Sequence, residues 1–324
     1  MSPFLNECID IVKSQEDSGK VLSLAHVLRY APFFQQIKKI IDSNKFGKII
    51  SMDLLEEVGY WHFAHSFVRG NWSKKDNSGP VILTKSCHDL DIINYLIKSH
   101  VKEIFSEGSL EYFKKDNAPV GSTERCIQDC AVKDKCPYNA ERFYLFEKDT
   151  SIIKWPVNVI SLDKGIDSRK KALEKGPYGK CVFRSDNDVC DNQTVYLHFE
   201  DNTKVTFRLT AFGQKPTRKI KIYFEYGEIN GDLAEGSIRT TTYGGLENEN
   251  IISYEKLSYV GGHGGGDEFL LKNFVMAILN NDESLNYTSA RDSLESHLLA
   301  FAAEESRINK KVIDFKEYKK SLGL

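Results

Sequence analysis

The chain has 324 residues, with 44 Lys and Arg against 46 Asp and Glu and a formal net charge of -2, so it carries neither a basic footprint for nucleic acid nor a polybasic membrane surface. Hydrophobic residues make up 41% and aromatics 11%, with 22 Gly and 8 Pro, which excludes a disordered or collagen-like chain and provides for a large core. The length exceeds the roughly 100 to 200 residues usual for one domain, so two domains are expected.

The first residues lack a basic stretch followed by an apolar one, and no apolar run reaches the roughly 18 residues of a membrane span, so a cytoplasmic location is expected. Ser2 and Pro3 suit the cap and first position of a helix, with Phe4, Leu5, Cys8, Ile11 and Val12 as its apolar stripe and Gly19 as its stop. Residues 21–27 read as a short buried strand. Residues 32–43 read as a second helix with Phe33, Phe34, Ile37, Ile40 and Ile41 inward, closed by Gly47. A strand between two helices is an α/β pattern, yet only one such strand precedes the change of texture at residue 48.

Residues 49–58 are strand-like, a helix follows over 85–97, and residues 109–185 are irregular. The runs at 194–199, 204–211 and 219–226 are β-rich and separated by turn residues, which fits an antiparallel meander continued through a tight turn at 226–228. After the glycines of 261–266 a helix opens at Asp267, its expected N-cap, and a last helix spans 289–309 with Leu294, Leu298, Phe301 and Ala302 on one side.

The run KSCHDLD at 85–91 carries the most chemistry. On a helix, Lys85, His88 and Asp91 share one face at i, i+3 spacing, which places a cation, an imidazole and a carboxylate together. An imidazole oriented by a carboxylate suits removal of a hydroxyl proton, and the bland alternative is a solvated polar helix face. The stretch YWHFAHSFVRGNW at 60–72 offers rings for the C–H face of a sugar, with His62, His65 and Arg69 for its polar groups, or else simply core aromatics. Arg69 beside Trp72 is the expected anchor for a carboxylate or phosphate. His263 in the glycine run is a candidate ligand contact, against a purely structural turn.

Seven cysteines, an odd number, point to reduced thiols or a metal site over a disulfide framework. Cys126, Cys130 and Cys136, with Cys181 or Cys190 as a fourth, fit a structural zinc site, against isolated thiols in a long loop. Cys87 reads as a small buried filler and not as a nucleophile.

Taken together, KSCHDLD, HVLRYAP at 26–32 and SHLLAFAAE at 296–304 resemble the Gfo/Idh/MocA family of NAD(P)-dependent oxidoreductases over nearly the whole chain. The resemblance implies an incomplete Rossmann-type parallel α/β segment plus a larger α+β domain with an open, mostly antiparallel sheet. It divides the chain into residues 1–45, a remnant of the dinucleotide-binding domain onto which residues 288–315 pack back, and residues 46–287, a domain for substrate binding and oligomerisation. It implies hydride transfer between NAD or NADP and a carbon of a sugar, inositol or related polyol. A homo-oligomer would form through the open sheet.

By the same resemblance His88 matches a catalytic histidine and Asp91 the last acid of the motif, while Thr84 stands where an Asp is usual and Lys85 beside it offers a donor. Arg29, Tyr30, Trp61 and Thr84 join the substrate-binding set, and His26 and Arg29 the cofactor-binding set. The family's Glu-Lys-Pro motif and G-x-G-x-x-G turn have no counterpart in residues 1–324, so both would lie upstream. A misplaced start, a split gene and a true truncation all remain open, and a truncated non-catalytic ligand-binding or interaction protein of the same fold is the rival expectation.

Overall fold

A computed structural model describes residues 1–146, 153–244, 249–253 and 263–324. The framework is one nine-stranded sheet in the order β8-β7-β6-β5-β1-β4-β3-β2-β9. Its strands are β1 (Ile49–Glu57), β2 (Val101–Ser109), β3 (Asn192–Phe199), β4 (Lys204–Thr210), β5 (Thr217–Phe224), β6 (Gly227–Asp232), β7 (Ser237–Thr242), β8 (Glu249–Ser253) and β9 (Ile313–Asp314). Only β1 and β4 run parallel; every other pair is antiparallel.

The period-2 pattern gives the sheet one buried and one open face. On β4 Val205, Phe207 and Leu209 turn inward and Arg208 outward; on β1 Met52 and Leu54 turn inward and Asp53 outward. The inner face carries helices α1 (Leu5–Ser18), α2 (Pro32–Asp42), α3 (Cys87–Leu96) and a long helix over Ala290–Asn309. Between α3 and that long helix come α4 (Ile166–Lys175) and α5 (Gly266–Asn280), which makes the long one α6. Leu294, Leu298, Leu299, Ala302 and Ala303 bury its inner stripe, and it packs on β2, α3 and α1. Ser289 caps it through a side-chain bond to Asp292 N. No described helix is long and apolar enough to cross a membrane.

Several local expectations are corrected. Residues 21–27 form no strand: Ser23 makes a single bridge to Ser289, and Val27–Tyr30 tightens into a 3-10 turn. Helix α1 starts at Leu5, because Ser2 Oγ bonds Phe4 N ahead of it, and its buried stripe is Cys8, Ile9 and Val12 while Phe4 and Ile11 face solvent. The three β-rich runs are not one meander, since β1 inserts between β4 and β5. The N-cap of α5 is Gly265, and Asp267 sits in its first turn. Gly261 and Gly262 lie outside the described residues.

Candidate active site

The sheet's inner face carries charge where β1 and β5 meet. Glu56 and Arg218 are direct cross-strand partners, both at inward positions of otherwise apolar series. Arg218 Nε lies 3.1 Å from Glu56 Oε2 and donates at 2.6 Å to Asp89 Oδ1 on α3, while Lys85 Nζ stands 3.1 Å from Glu56 Oε1. Two cations thus face two carboxylates in a buried quartet that fixes the start of α3 on the sheet. Burial, as the largest influence, pushes the Asp89 carboxyl up, and Glu56's charge adds to this against the pull of Arg218.

A second buried knot lies on the other side of α3. Asp91 accepts two bonds from Arg29, at 2.8 Å from Nε and 2.7 Å from Nη2, and one from Ser296 Oγ at 2.8 Å; His26 Nδ1 stands 2.9 Å away. Arg29 Nη1 also donates to Tyr287 O at 2.7 Å, so this carboxylate ties the 26–30 turn, α3 and α6 together. Burial alone would lower the His26 pKa, but the charge and hydrogen bond of Asp91, with Cys87, outweigh it and raise it to about 9. Burial opposes ionisation of Asp91 as well, yet His26 and Arg29 hold its carboxyl well below the usual range. The trio of His26, Arg29 and Asp91 therefore carries one net positive charge at neutral pH.

His88 lies between these two knots, partly exposed, in the first turn of α3. Its ring stands 5.9 Å from that of His26 and 5.3 Å from that of His263, and His26 stacks in turn on His297 at 5.2 Å. Burial first, then the charge of Arg218, keeps the His88 imidazole well below its ordinary pKa and hence neutral. Its Nδ1 has no hydrogen-bond partner among the described residues. His263 is anchored by Asp267 at 3.1 Å, and Gly266 lets α5 approach: a Cβ there would lie 2.2 Å from Val27 O.

The expected triad is therefore regrouped. Lys85 and His88 stay near one another, but Asp91 serves His26 and Arg29, not His88. Arg29 is a buried pin and not an open ligand contact. Tyr30 is buried, bonds Thr288 Oγ1 at 3.2 Å and stacks on Tyr287, and Thr84 Oγ1 bonds back to Pro80 O at 3.2 Å. His62 faces Lys85 and Arg218 electrostatically; burial first, then their charges, lower its pKa to about 3. It stacks on Trp61 at 5.6 Å and meets the half-exposed Trp155 edge-on at 5.0 Å. His65 is turned away, bonded to Tyr144 Oη at 2.7 Å and stacked on Tyr178, and burial lowers its pKa to about 4.

Arg69 is likewise not beside Trp72 as a ligand anchor. Its guanidinium is buried and donates to Lys180 O and Tyr138 O, both at 2.7 Å. The structural zinc expected from the cysteines is not supported: among the described residues no three His, Cys, Asp or Glu side chains are placed to hold one ion. Cys126, Cys130, Cys136 and Cys181 do line one cavity, with Arg69 in its wall.

No family model matches this sequence. The chain is 26% identical over 282 residues, 82% of its length, to YteT of Bacillus subtilis (strain 168), provisionally named an oxidoreductase, and it spans 62% of that relative. A crystal structure of an oxidoreductase from Agrobacterium radiobacter in complex with NAD+, L-tartaric acid and magnesium superposes with a TM-score of 0.62 at 15% identity, covering 97% of this chain and 70% of that one. Levoglucosan dehydrogenase in complex with NADH and levoglucosan superposes at 0.64 with 13% identity, over 97% of this chain and 71% of that one. The chain thus has the α/β fold with a mixed, mostly antiparallel open sheet found in these oxidoreductases, and part of each solved chain has no counterpart in it.

Proposed function

We propose that this chain supplies the ligand-binding and proton-handling part of an oxidoreductase acting on the hydroxyl-bearing carbon of a sugar, inositol or related polyol. The observation that carries this is the neutral, partly exposed imidazole of His88 held between two buried charge knots. A neutral imidazole is in the state a general base requires, and with Nδ1 buried the part-exposed remainder of the ring is what a ligand hydroxyl would meet. Lys85 and His263 flank it, and Trp61, His62 and Trp155 offer ring faces for sugar C–H groups. NAD(H) in the two solved structures supports a nicotinamide cofactor, which when bound would exchange hydride with that carbon.

The described residues do not by themselves fit the whole dinucleotide. No G-x-G-x-x-G run occurs in residues 1–324, and the glycines that open α5 lack that spacing, so the described residues present no such backbone cradle for a pyrophosphate. In this reading the cradle comes from protein outside these residues and completes a dinucleotide-binding domain on residues 1–45 and 288–315. The open sheet face, with Asp53, Tyr196, Arg208 and Lys219, is the proposed contact between copies.

The test is ligand binding to the purified chain by calorimetry with levoglucosan, inositol and simple hexoses. Binding of at least one, weakened about tenfold or more by Trp155→Ala, is expected. In a form as long as the solved neighbours, His88→Ala should lower kcat by roughly 100-fold or more with little change in nicotinamide affinity. Full turnover in that variant would remove His88 from the chemistry, and binding without any turnover in the long form would leave a ligand-binding protein.

A further inference from the structure

Four of the seven cysteines line a single cavity, and none of His26, His88, His263 and His297 borders it. Cys126 and Cys181 are set by a short antiparallel bridge, Arg125 with Lys180, in which Cys126 N donates to Gly179 O and Cys181 N to Glu124 O, both at 2.9 Å. Cys130 and Cys136 lie on the turns between, where Lys133 N donates to Cys130 O and Cys136 N to Val132 O. All four thiols are free, three of them buried.

Arg69 closes the wall. It ends a π-helical turn over Ala64–Arg69, a local irregularity that often marks functional positions. Of its two backbone acceptors, Lys180 O immediately precedes Cys181 and Tyr138 O follows Cys136 and Pro137, and its Nη2 lies 3.6 Å from Cys126 Sγ. Among the described residues no carboxylate pairs with this buried guanidinium. This guanidinium is served by two carbonyls, the Cys126 sulfur and the Tyr144 hydroxyl, all formally neutral, and negative charge on the neighbouring sulfurs would compensate it.

We infer that Cys126, Cys130, Cys136 and Cys181 hold an iron–sulfur cluster, with Arg69 as its counter-charge. Four thiolates are the ligand set of such clusters, and donors to the cysteine sulfurs tune them. The same geometry disfavours a lone ion. Zinc needs its sulfurs about 2.3 Å from one point. No three of these groups are placed to share an ion, yet all four thiols border a space larger than one water needs. A multi-atom core reconciles the two observations. Between β2 and β3 the surrounding segment has α4, several short helical turns and a small second core of Cys126, Ala140, Tyr144, Ile153, Val157 and Leu173, which a cross-link would stabilise. Loading is a ligand exchange: four iron bonds to external thiolates on a preformed cluster break, four bonds to the cysteines form, and the cysteine protons pass to the released thiolates. No oxidation state changes.

The chain should be purified without oxygen, reconstituted with a preformed cluster carried on small thiols, and analysed for iron, acid-labile sulfide and zinc. Expected are iron and sulfide in equal amounts and a visible charge-transfer absorption that dithionite bleaches. Cys126→Ser and Cys181→Ser should each lose most of the iron, whereas Cys190→Ser, outside the cavity wall, should keep it. Zinc without sulfide in the parent chain, no metal in it after reconstitution, or undiminished iron in folded Cys126→Ser would each overturn the assignment. The measurement on the parent needs no variant to fold, and it is independent of any oxidoreductase turnover.

Discussion

Replacing Arg218 by Met removes one charge from the quartet beneath His88 and leaves the other three in place. Asp89 is 0% exposed and Glu56 1%, so neither can turn to water, and Lys85 keeps its ion pair with Glu56. Removing one partner from a buried ion pair costs about 3–5 kcal/mol. That is a large share of the roughly 5–15 kcal/mol by which folded chains are stable. The cost depends on pH with a definite sign. Burial already holds the Asp89 pKa above its unfolded value, and losing Arg218 raises it further. A group whose folded pKa is raised by burial penalises the folded state above the unfolded pKa, and protonation relieves the penalty as pH falls. Urea unfolding followed by circular dichroism should therefore show a larger loss at pH 7.5 than at pH 5, and Asp89→Asn added to Arg218→Met should restore part of it. The His88 imidazole, freed of a neighbouring cation, should titrate closer to its ordinary range by NMR. A loss below about 1 kcal/mol at pH 7.5, or one equal at both pH values, would refute the quartet as the element that seats α3.

Stability of the parent should peak near neutral pH. Burial lowers the pKa of His62 to about 3, of His65 to about 4 and of His297 to about 3, so each favours folding above the unfolded value of 6.5 and loses that support as pH falls, by up to about 1.4 kcal/mol per pH unit per group. His26, raised to about 9 by Asp91, acts in the opposite direction: its contribution is complete below 6.5 and is lost as pH rises through 9. Urea midpoints that climb steadily from pH 5 to pH 9 would contradict the His26 pairing. Asp91→Asn should cost about 3–5 kcal/mol and bring His26 below its ordinary pKa, read by NMR titration of the ring. Gly266→Val puts side-chain carbon against Val27 O and should cost roughly 1–3 kcal/mol by pushing α5, and His263 with it, away from His88; an unchanged thermal midpoint would show that the contact gives way freely.

The parts of the fold that follow from local periodicity were legible in the sequence. Helix α6 and strands β3 and β4 fall within a residue or two of their expected bounds, because their apolar spacing and terminal caps are local signals. Strand order was not legible. Parallel pairing of β1 with β4 joins residues more than 150 positions apart, and nothing in either strand's composition tells an interior neighbour from an edge. Residues 21–27 look strand-like by composition, yet with no neighbouring strand to bond they make one bridge and turn away.

The site shows the same division between local pattern and distant partner. Spacing along α3 placed Lys85, His88 and Asp91 on one face, and it could not reveal that Asp91 is taken by Arg29, 62 positions upstream, and Ser296, 205 positions downstream. Asp89 lies off that i, i+3 face and shares the quartet through Arg218. Yet a signal for the quartet was present in the strands. In β1 the inward series runs Met52, Leu54, Glu56, and in β5 it runs Arg218, Ile220, Ile222, Phe224. An acid on one buried register and a base on another each violate the alternation that the rest of their strand obeys, and a buried charge persists only with a partner. Two such violations of opposite sign, at the ends of two strands, predict each other as neighbours. That rule sets β5 beside β1 from charge where the hydrophobic pattern is silent.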